Sequence, residues 1–233
     1  MATKATTPRQ RARQQTIRDI KRIARRQLAT EGTGALSLRA IARELGIVSS
    51  AIYRYVPSRD ELLTMLIVDA YDGLGEAVEK AEAKIGRGDH SGRWAAIGRA
   101  VRQWAVTHPE EYGLIYGSPV PGYKAPPERT VGPGSRVSLL ILRLVTDAHA
   151  AGEIRPPGRA DAVPAAVAER FPELRAQLAT DLSDDLIVRL LLAWTSVFGL
   201  VSFELGGQYV GVVDDTAAHF DHQLAVLGRD LGL

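Results

Sequence analysis

The sequence predicts an all-α chain, with an N-terminal three-helix helix-turn-helix domain followed by a larger C-terminal helical bundle. Three observations carry that prediction. Apolar residues recur at spacings of three and four in segment after segment, the period of an amphipathic helix. Clusters of Gly and Pro separate those segments. Between Leu36 and Leu63, two short helical patterns are joined by a glycine turn and followed by a capped third.

The chain opens on a polar, basic stretch. Residues 1–13 carry Pro8 and then Arg9, Arg11 and Arg13, and are expected to be disordered in the free protein. They are either a solvated tail or an arm for phosphates and the adjacent minor groove. From about Thr16 to Thr30, Ile17, Ile20, Ala24 and Leu28 share one face, and Glu31-Gly32 ends that helix. Ser37 is the expected N-cap of the next, whose inner face is Leu38, Ile41, Ala42 and Leu45. Gly46 supplies the left-handed turn. Ser49 or Ser50 can then cap a segment from Ala51 to Tyr55, with Ile52 facing inward. That leaves Ser49, Ser50, Tyr53, Arg54 and Tyr55 as candidates for the open side. Pro57 stops the segment. Ser58-Arg59-Asp60-Glu61 reads as a capping box at the start of a long helix.

Charge gives this stretch a partner. Residues 1–60 hold 13 Lys and Arg against 4 Asp and Glu, net +9, whereas residues 61–233 are net −7. The overall +2 conceals a cationic head on an anionic body. A compact basic region is the electrostatic footprint of a polyanion binder. Ser and Tyr hydroxyls and Arg guanidiniums donate to phosphate oxygens, and Arg can also read guanine. Helix N-termini at Ser37 and Ser58 favour an anion. The candidate DNA-contacting residues are therefore Ser37, Arg39, Ser49, Ser50, Tyr53, Arg54, Tyr55, Ser58 and Arg59. The simpler reading, a small helical corner with a solvated face, does not account for the charge. A membrane surface is the other polyanion, but no long basic amphipathic helix with exposed Trp or Phe precedes residue 60.

The long helix after Ser58 carries Leu62, Leu63, Leu66, Ile67, Ala70 and Leu74 and runs to about Ile85, a connector broken by Gly86 to Asp89. Helical pattern resumes from about Arg93 to Thr107 (Trp94, Ile97, Val101, Trp104) and, after His108-Pro109, from Glu110 to Tyr116. Nine of the eighteen residues from Gly117 to Gly134 are Gly or Pro, so no regular element is expected there, and the loop could act as a lid. Ser135 should cap a helix with Val137, Leu140, Ile141, Leu144 and Val145, ended by Gly152 and Arg155 to Gly158. A weaker patch, Asp161 to Leu178, is interrupted by Pro164 and Pro172. Ser183 to Gly206 is apolar nearly all round and must be covered on more than one side. Asp215 to Leu231 follows. The two could be core, or could pair with a second copy as a four-helix interface. The dimer is favoured, because so short a reader helix needs two half-sites.

At this point the residues resemble a known family. Leu36-Ser37-Leu38-Arg39, Ile41-Ala42 and Leu45-Gly46, then Tyr53 to Val56, Ser58-Arg59 and Leu62, are similar to the DNA-binding domain of the TetR family of bacterial repressors. Three positions depart from its pattern. Val48 stands where Ser often begins the reader helix, Val56 where Phe is usual, and Arg59 where Lys is usual. Trp194-x-x-x-Phe198-Gly199 resembles the tryptophan-containing C-terminal domain, often called WHG, of one subgroup, with Phe198 at its His position. The resemblance implies a DNA-binding domain over 1–60 and a ligand-binding and dimerisation domain over 61–233. It implies a homodimer through helices 183–206 and 215–231, double-stranded operator DNA as partner, and release by a small molecule of unknown identity. Candidate pocket residues are Trp94, Trp104, Tyr112, Tyr116, Tyr123, Trp194 and Phe198, although an aromatic at helical spacing is usually core.

Other classes find less support. No G-x-S-x-G elbow, phosphate-cradling glycine loop or spaced acid, base and nucleophile set occurs, so no enzyme and no cofactor are expected. Cys is absent, which excludes disulfides and thiolate metal sites. His219 and His222, with Asp215 near, could bind a metal, but no third ligand is evident and a solvent-facing or interface pair is simpler. The N-terminus has no secretory pattern. The uncharged run Leu190 to Phe203 is too short to span a bilayer. The expectation is a cytoplasmic regulator, with a ligand-independent architectural DNA-binding protein as the alternative.

Overall fold

The computed structural model of the chain describes residues 7–156 and 162–233; among them there are helices and no strands. The predicted Pro157-Gly158 stop and the start at Asp161 lie outside the described residues. The chain packs as two units, one of residues 1–72 and 108–134, the other of 73–107 and 135–233.

In the first unit, α1 (Pro8–Glu31) starts a full two turns earlier than its apolar face suggests. The Thr7 hydroxyl accepts the Gln10 N–H at 3.3 Å and the Gln10 side chain accepts the Thr7 N–H at 2.8 Å, with Pro8 at the first helical position. The expected disorder is thus corrected for residues 8–13, which are helical; residues 1–6 are outside the described set. Ile20, Ile23, Ala24 and Leu28 form the buried face. After a 3-10 turn (Thr33–Ala35) come α2 (Leu38–Glu44) and α3 (Ser49–Ile52). Gly46, between them, has φ 67°, the left-handed geometry expected of it. The reader is shorter and earlier than its sequence suggests. It spans one turn, Tyr53 to Tyr55 continue as a hydrogen-bonded turn, and Val48 occupies the N-cap without a side-chain acceptor. Neither Ser49 nor Ser50 caps it, because both are already helical.

Next, α4 (Arg59–Glu82) contributes its residues to Asp72 to the first unit and the remainder to the second. Only half of the predicted capping box forms. Ser58 Oγ accepts the Glu61 N–H at 3.0 Å, but the Glu61 carboxylate pairs with Arg129 at 2.7 Å instead of reaching back. The helix stops at Glu82, one turn before Ile85. The first unit also takes in α6 (Pro109–Tyr116) and α7 (Pro127–Gly134). The expectation of no regular structure over 117–134 therefore fails for its second half. Tertiary contacts override composition there: Thr130 is buried, Arg129 holds Glu61, and Gly134 lies against the Tyr71 ring. Upstream, Val120 enters the core around Ile41 and Ile52, and the Tyr123 hydroxyl bonds Thr64 Oγ1 at 2.8 Å.

In the second unit, α5 (His90–Thr107) packs against α8 (Arg136–Ala150), α11 (Asp184–Leu205) and α12 (Thr216–Leu231). The short α9 (Ala165–Ala168) and α10 (Phe171–Leu178) occupy the Pro-interrupted patch. Ser135 is itself in helical geometry and makes no side-chain cap, contrary to expectation. Two glycines set the α5–α12 distance: a Cβ on Gly98 would meet Leu224 at 2.5 Å, and one on Gly228 would meet Trp94 at 2.9 Å. Trp94 Nε1 donates to the Leu224 carbonyl at 2.8 Å across the same seam. Arg93 is wholly buried and donates to Glu82 at 2.6 Å and Asp147 at 2.8 Å. The predicted starts at Ser183 and Asp215 are the N-caps of α11 and α12, their side chains accepting the Leu186 and Ala218 N–H groups. By length and composition, α11 is apolar and long enough to cross a membrane, which revises the expectation drawn from its uncharged run. Its inner face, including Leu186, Ala193, Val197 and Val201, is instead buried among α5, α8 and α12. Its outer face is not covered: Leu192 and Phe203 are 57% and 56% exposed.

Candidate nucleic-acid interface

The α2–α3 pair is built so that one side is core and the other is polar. Leu38, Ile41 and Ile52 point inward and are almost inaccessible. With Ile52 fixed inward, Ser50 of α3 and Tyr53 and Arg54 of the turn that follows it face solvent, and Ser49, at the helix start, is exposed as well. Arg39 is exposed on the first turn of α2. Ser37 is half-buried; its Oγ accepts the Ala40 N–H at 3.3 Å, while Gln27 Oε1 accepts the Ser37 N–H at 3.2 Å. Ser58 is exposed at the start of α4, followed by half-buried Arg59. Tyr55 departs from the open-side assignment. It is half-buried against the core, and the Arg13 guanidinium lies 5.4 Å from its ring centroid.

Not every cation of the head faces outward. Lys21 and Arg25 both hold Asp69, at 2.7 and 2.9 Å, and Arg25 also holds Glu111 at 2.5 Å. Arg26 pairs with Glu44. These ion pairs knit α1 to α2, α4 and α6 and take positive charge away from any DNA face. Arg9, Arg11, Arg39, Arg43 and Arg54 are exposed. Asp19 sits among cations, and its carboxyl is held below the usual range by hydrogen bonds from Gln15 and Arg22.

The seven aromatic pocket candidates divide between the two units. The Tyr112 and Tyr116 rings meet tilted at 5.1 Å, with Tyr71 edge-on to Tyr116 at 6.1 Å, in the first unit. Burial, reinforced by Tyr71 and Tyr112, pushes the Tyr116 phenol well above its ordinary value. Tyr123 packs on the reader's core, bonded to Thr64. In the second unit, Trp94 and Trp104 are buried, and Trp194 meets Phe198 edge-on at 6.4 Å on α11. Trp94 borders an open groove of about 250 Å³ between α5 and α12, which Arg99 and Asp221 also line. His219 stacks edge-on against Tyr209 at 5.0 Å, Asp215 caps α12, and no cluster of three metal-ligating side chains exists among the described residues.

Sequence reasoning missed the Lys21–Arg25–Asp69–Glu111 cluster. Its signal was weak, because the partners lie 44 to 86 residues apart. It also missed Gln27, whose role depends on the backbone at Ser37.

Comparison with known proteins agrees with this geometry. Residues 20–66 match the family described as bacterial regulatory proteins, tetR family. Residues 94–227 match the tetracyclin repressor-like C-terminal domain. The chain is 43% identical over 217 residues to the HTH-type transcriptional regulator Rv1816 of Mycobacterium tuberculosis, covering 93% of this chain and 92% of that one. The structure of the regulatory protein SCO4313 superimposes with a TM-score of 0.76 at 34% identity, over 95% of this chain and 98% of that one. A protein of unknown function from Rhodococcus sp. RHA1 gives 0.71 at 25% identity, over 94% and 96%.

Proposed function

This chain belongs to the TetR family of bacterial regulatory proteins and is a transcriptional regulator, and from that premise we propose that it is a sequence-specific dimeric repressor, released from double-stranded operator DNA by a small-molecule effector. The observation that carries the reading is the open side of the reader, where Ser50, Tyr53 and Arg54 face solvent beside a buried Ile52 and Ser49 is exposed at the helix start. Those groups suit phosphate oxygens and base edges in a major groove. DNA reading is assigned to residues 1–60, and effector binding and pairing to 61–233, in the cytoplasm.

Pairing is assigned to the helices 183–206 and 215–231. Supporting it are Leu192 and Phe203, which share one face of α11, and the adjacent Leu191, all apolar and exposed in a single chain. The exposed small residues Ala218 and Ala225 of α12 would let a second copy approach closely. Two readers must then sit about one DNA turn apart, about 34 to 36 Å, and an effector that favours a different separation weakens DNA binding. The aromatic side chains Trp94, Trp104, Tyr112, Tyr116, Tyr123, Trp194 and Phe198 remain the candidates for effector contact.

Selection of duplexes from a random pool by the full-length protein tests the proposal. Enrichment of a sequence with two inverted half-sites, lost on adding an effector found by thermal-shift screening, is expected. Binding without sequence preference and without any effector response would point to an architectural binder instead.

A further inference from the structure

We propose that Arg13 is a positioning residue for the reader, bracing the C-terminal end of α3 so that the first turns of α1 act as a rigid arm. The inference rests on the DNA-binding reading only for its consequence, not for its geometry.

The reader needs such a brace. One helical turn with no side-chain N-cap holds its own shape poorly. Its interior support comes from Ile52 and Val56, both wholly buried. On the outer side, the turn from Tyr53 to Tyr55 closes on backbone bonds from Arg54 N–H to the Ala51 carbonyl at 3.2 Å and from Tyr55 N–H to the Ile52 carbonyl at 2.9 Å. The Arg54 carbonyl accepts Arg13 Nη1 at 3.0 Å. The same guanidinium lies over the Tyr55 ring. One side chain thereby holds two consecutive residues of the reader turn. A cation at the carbonyl end of a helical turn also opposes its dipole, and the half-buried Tyr55 ring gives the guanidinium a fixed backstop.

Core packing does not explain this contact. Arg13 is exposed, and the first buried residue of α1 is Ile20, two turns further on. What reaches the reader is the polar extension that starts at the Thr7–Gln10 capping box. Arg9 lies one turn ahead of Arg13 on the same helix face and is carried by it. The extension therefore fixes the angle of Tyr53 and Arg54, and Arg9 is its phosphate-reaching cation.

Amide hydrogen exchange of the full-length protein without DNA tests the brace. Arg13→Ala should speed exchange at Arg54, Tyr55 and Val56 by about tenfold while the amides of α2 keep their wild-type rates. Arg13→Lys should recover part of that protection, and Arg9→Ala should change none of it. On a duplex enriched by the wild-type protein, Arg13→Ala should lose about tenfold in affinity and less on an unrelated duplex, so that the specificity ratio falls. Arg9→Ala should lower the salt slope by about 0.9 on both. Wild-type exchange at residues 54–56 in Arg13→Ala would overturn the proposal. So would an equal loss on both duplexes with a salt slope lowered by about 0.9, which makes Arg13 a plain phosphate contact. If the wild-type protein enriches no duplex, the repressor reading fails, and the exchange data still decide the brace.

Discussion

At the scale of single residues, side chains that look alike in sequence do different jobs. Tyr53 and Tyr55 are two apart, yet the first is 44% exposed and the second is half-buried under Arg13. Tyr53→Phe should weaken binding to the selected duplex through loss of one hydroxyl donor, by roughly 0.5 to 1.5 kcal/mol, without changing the melting temperature. Anisotropy titration beside a thermal melt checks it; a matching fall in melting temperature would mean that Tyr53 is structural. Tyr116 makes a prediction in pH. Its phenol is raised by burial, so the folded chain holds that proton more tightly than the unfolded chain, whose phenol titrates at about 10. The stabilisation is therefore complete below about pH 10 and is lost as pH rises from there towards the folded value. Urea unfolding at pH 9 and 11 should show a steeper alkaline loss in the wild type than in Tyr116→Phe. Parallel losses would refute the assignment. None of this difference is legible from composition, because it depends on what each ring packs against.

At the scale of elements, caps and close approaches decide where helices stop and how near they come. Ser37 accepts the Ala40 N–H and begins α2, so Ser37→Ala should cost about 1 kcal/mol of stability, read by urea denaturation. Gly98→Ala places a Cβ 2.5 Å from Leu224. That should destabilise by about 1 to 3 kcal/mol through the α5–α12 seam, and the double variant Gly98→Ala with Leu224→Ala should recover part of it. Additive losses would show that the two do not press on each other. The long helices are readable because their buried faces repeat at three and four: Leu186, Leu190, Val197 and Val201 announce α11 from their spacing alone. Apolar periodicity does not show the early start of α1, since residues 8–15 bury nothing, although Thr7-Pro8 and Gln10 already carry a capping signal. The helix Pro127–Gly134 is hidden by its own Gly and Pro, and its contacts to Glu61 and Tyr71 hold it in place. Sequence alone places the reader two residues late because Val48, an apolar side chain, stands at its N-cap.

At the scale of the whole molecule, the proposed labour divides between a cationic head, net +9 over residues 1–60, for DNA and an anionic helical body, net −7 over residues 61–233, for pairing the heads. That charge division is visible in the sequence. The ion pairs of Lys21, Arg25 and Arg26 refine it, since part of the head's charge is engaged in holding its own fold. The exposed Leu192 and Phe203 face of α11 belongs to this scale as well. Leu192→Glu with Phe203→Glu should shift the protein from dimer to monomer while leaving its helical content intact, and operator affinity should fall with it. The central claim is tested most directly by light scattering and anisotropy on one sample of the wild-type protein with its selected duplex across a salt series. Two chains per duplex, with an affinity that falls steeply as salt rises, is the expected result. A single chain that ignores duplex DNA even at low salt would contradict the account.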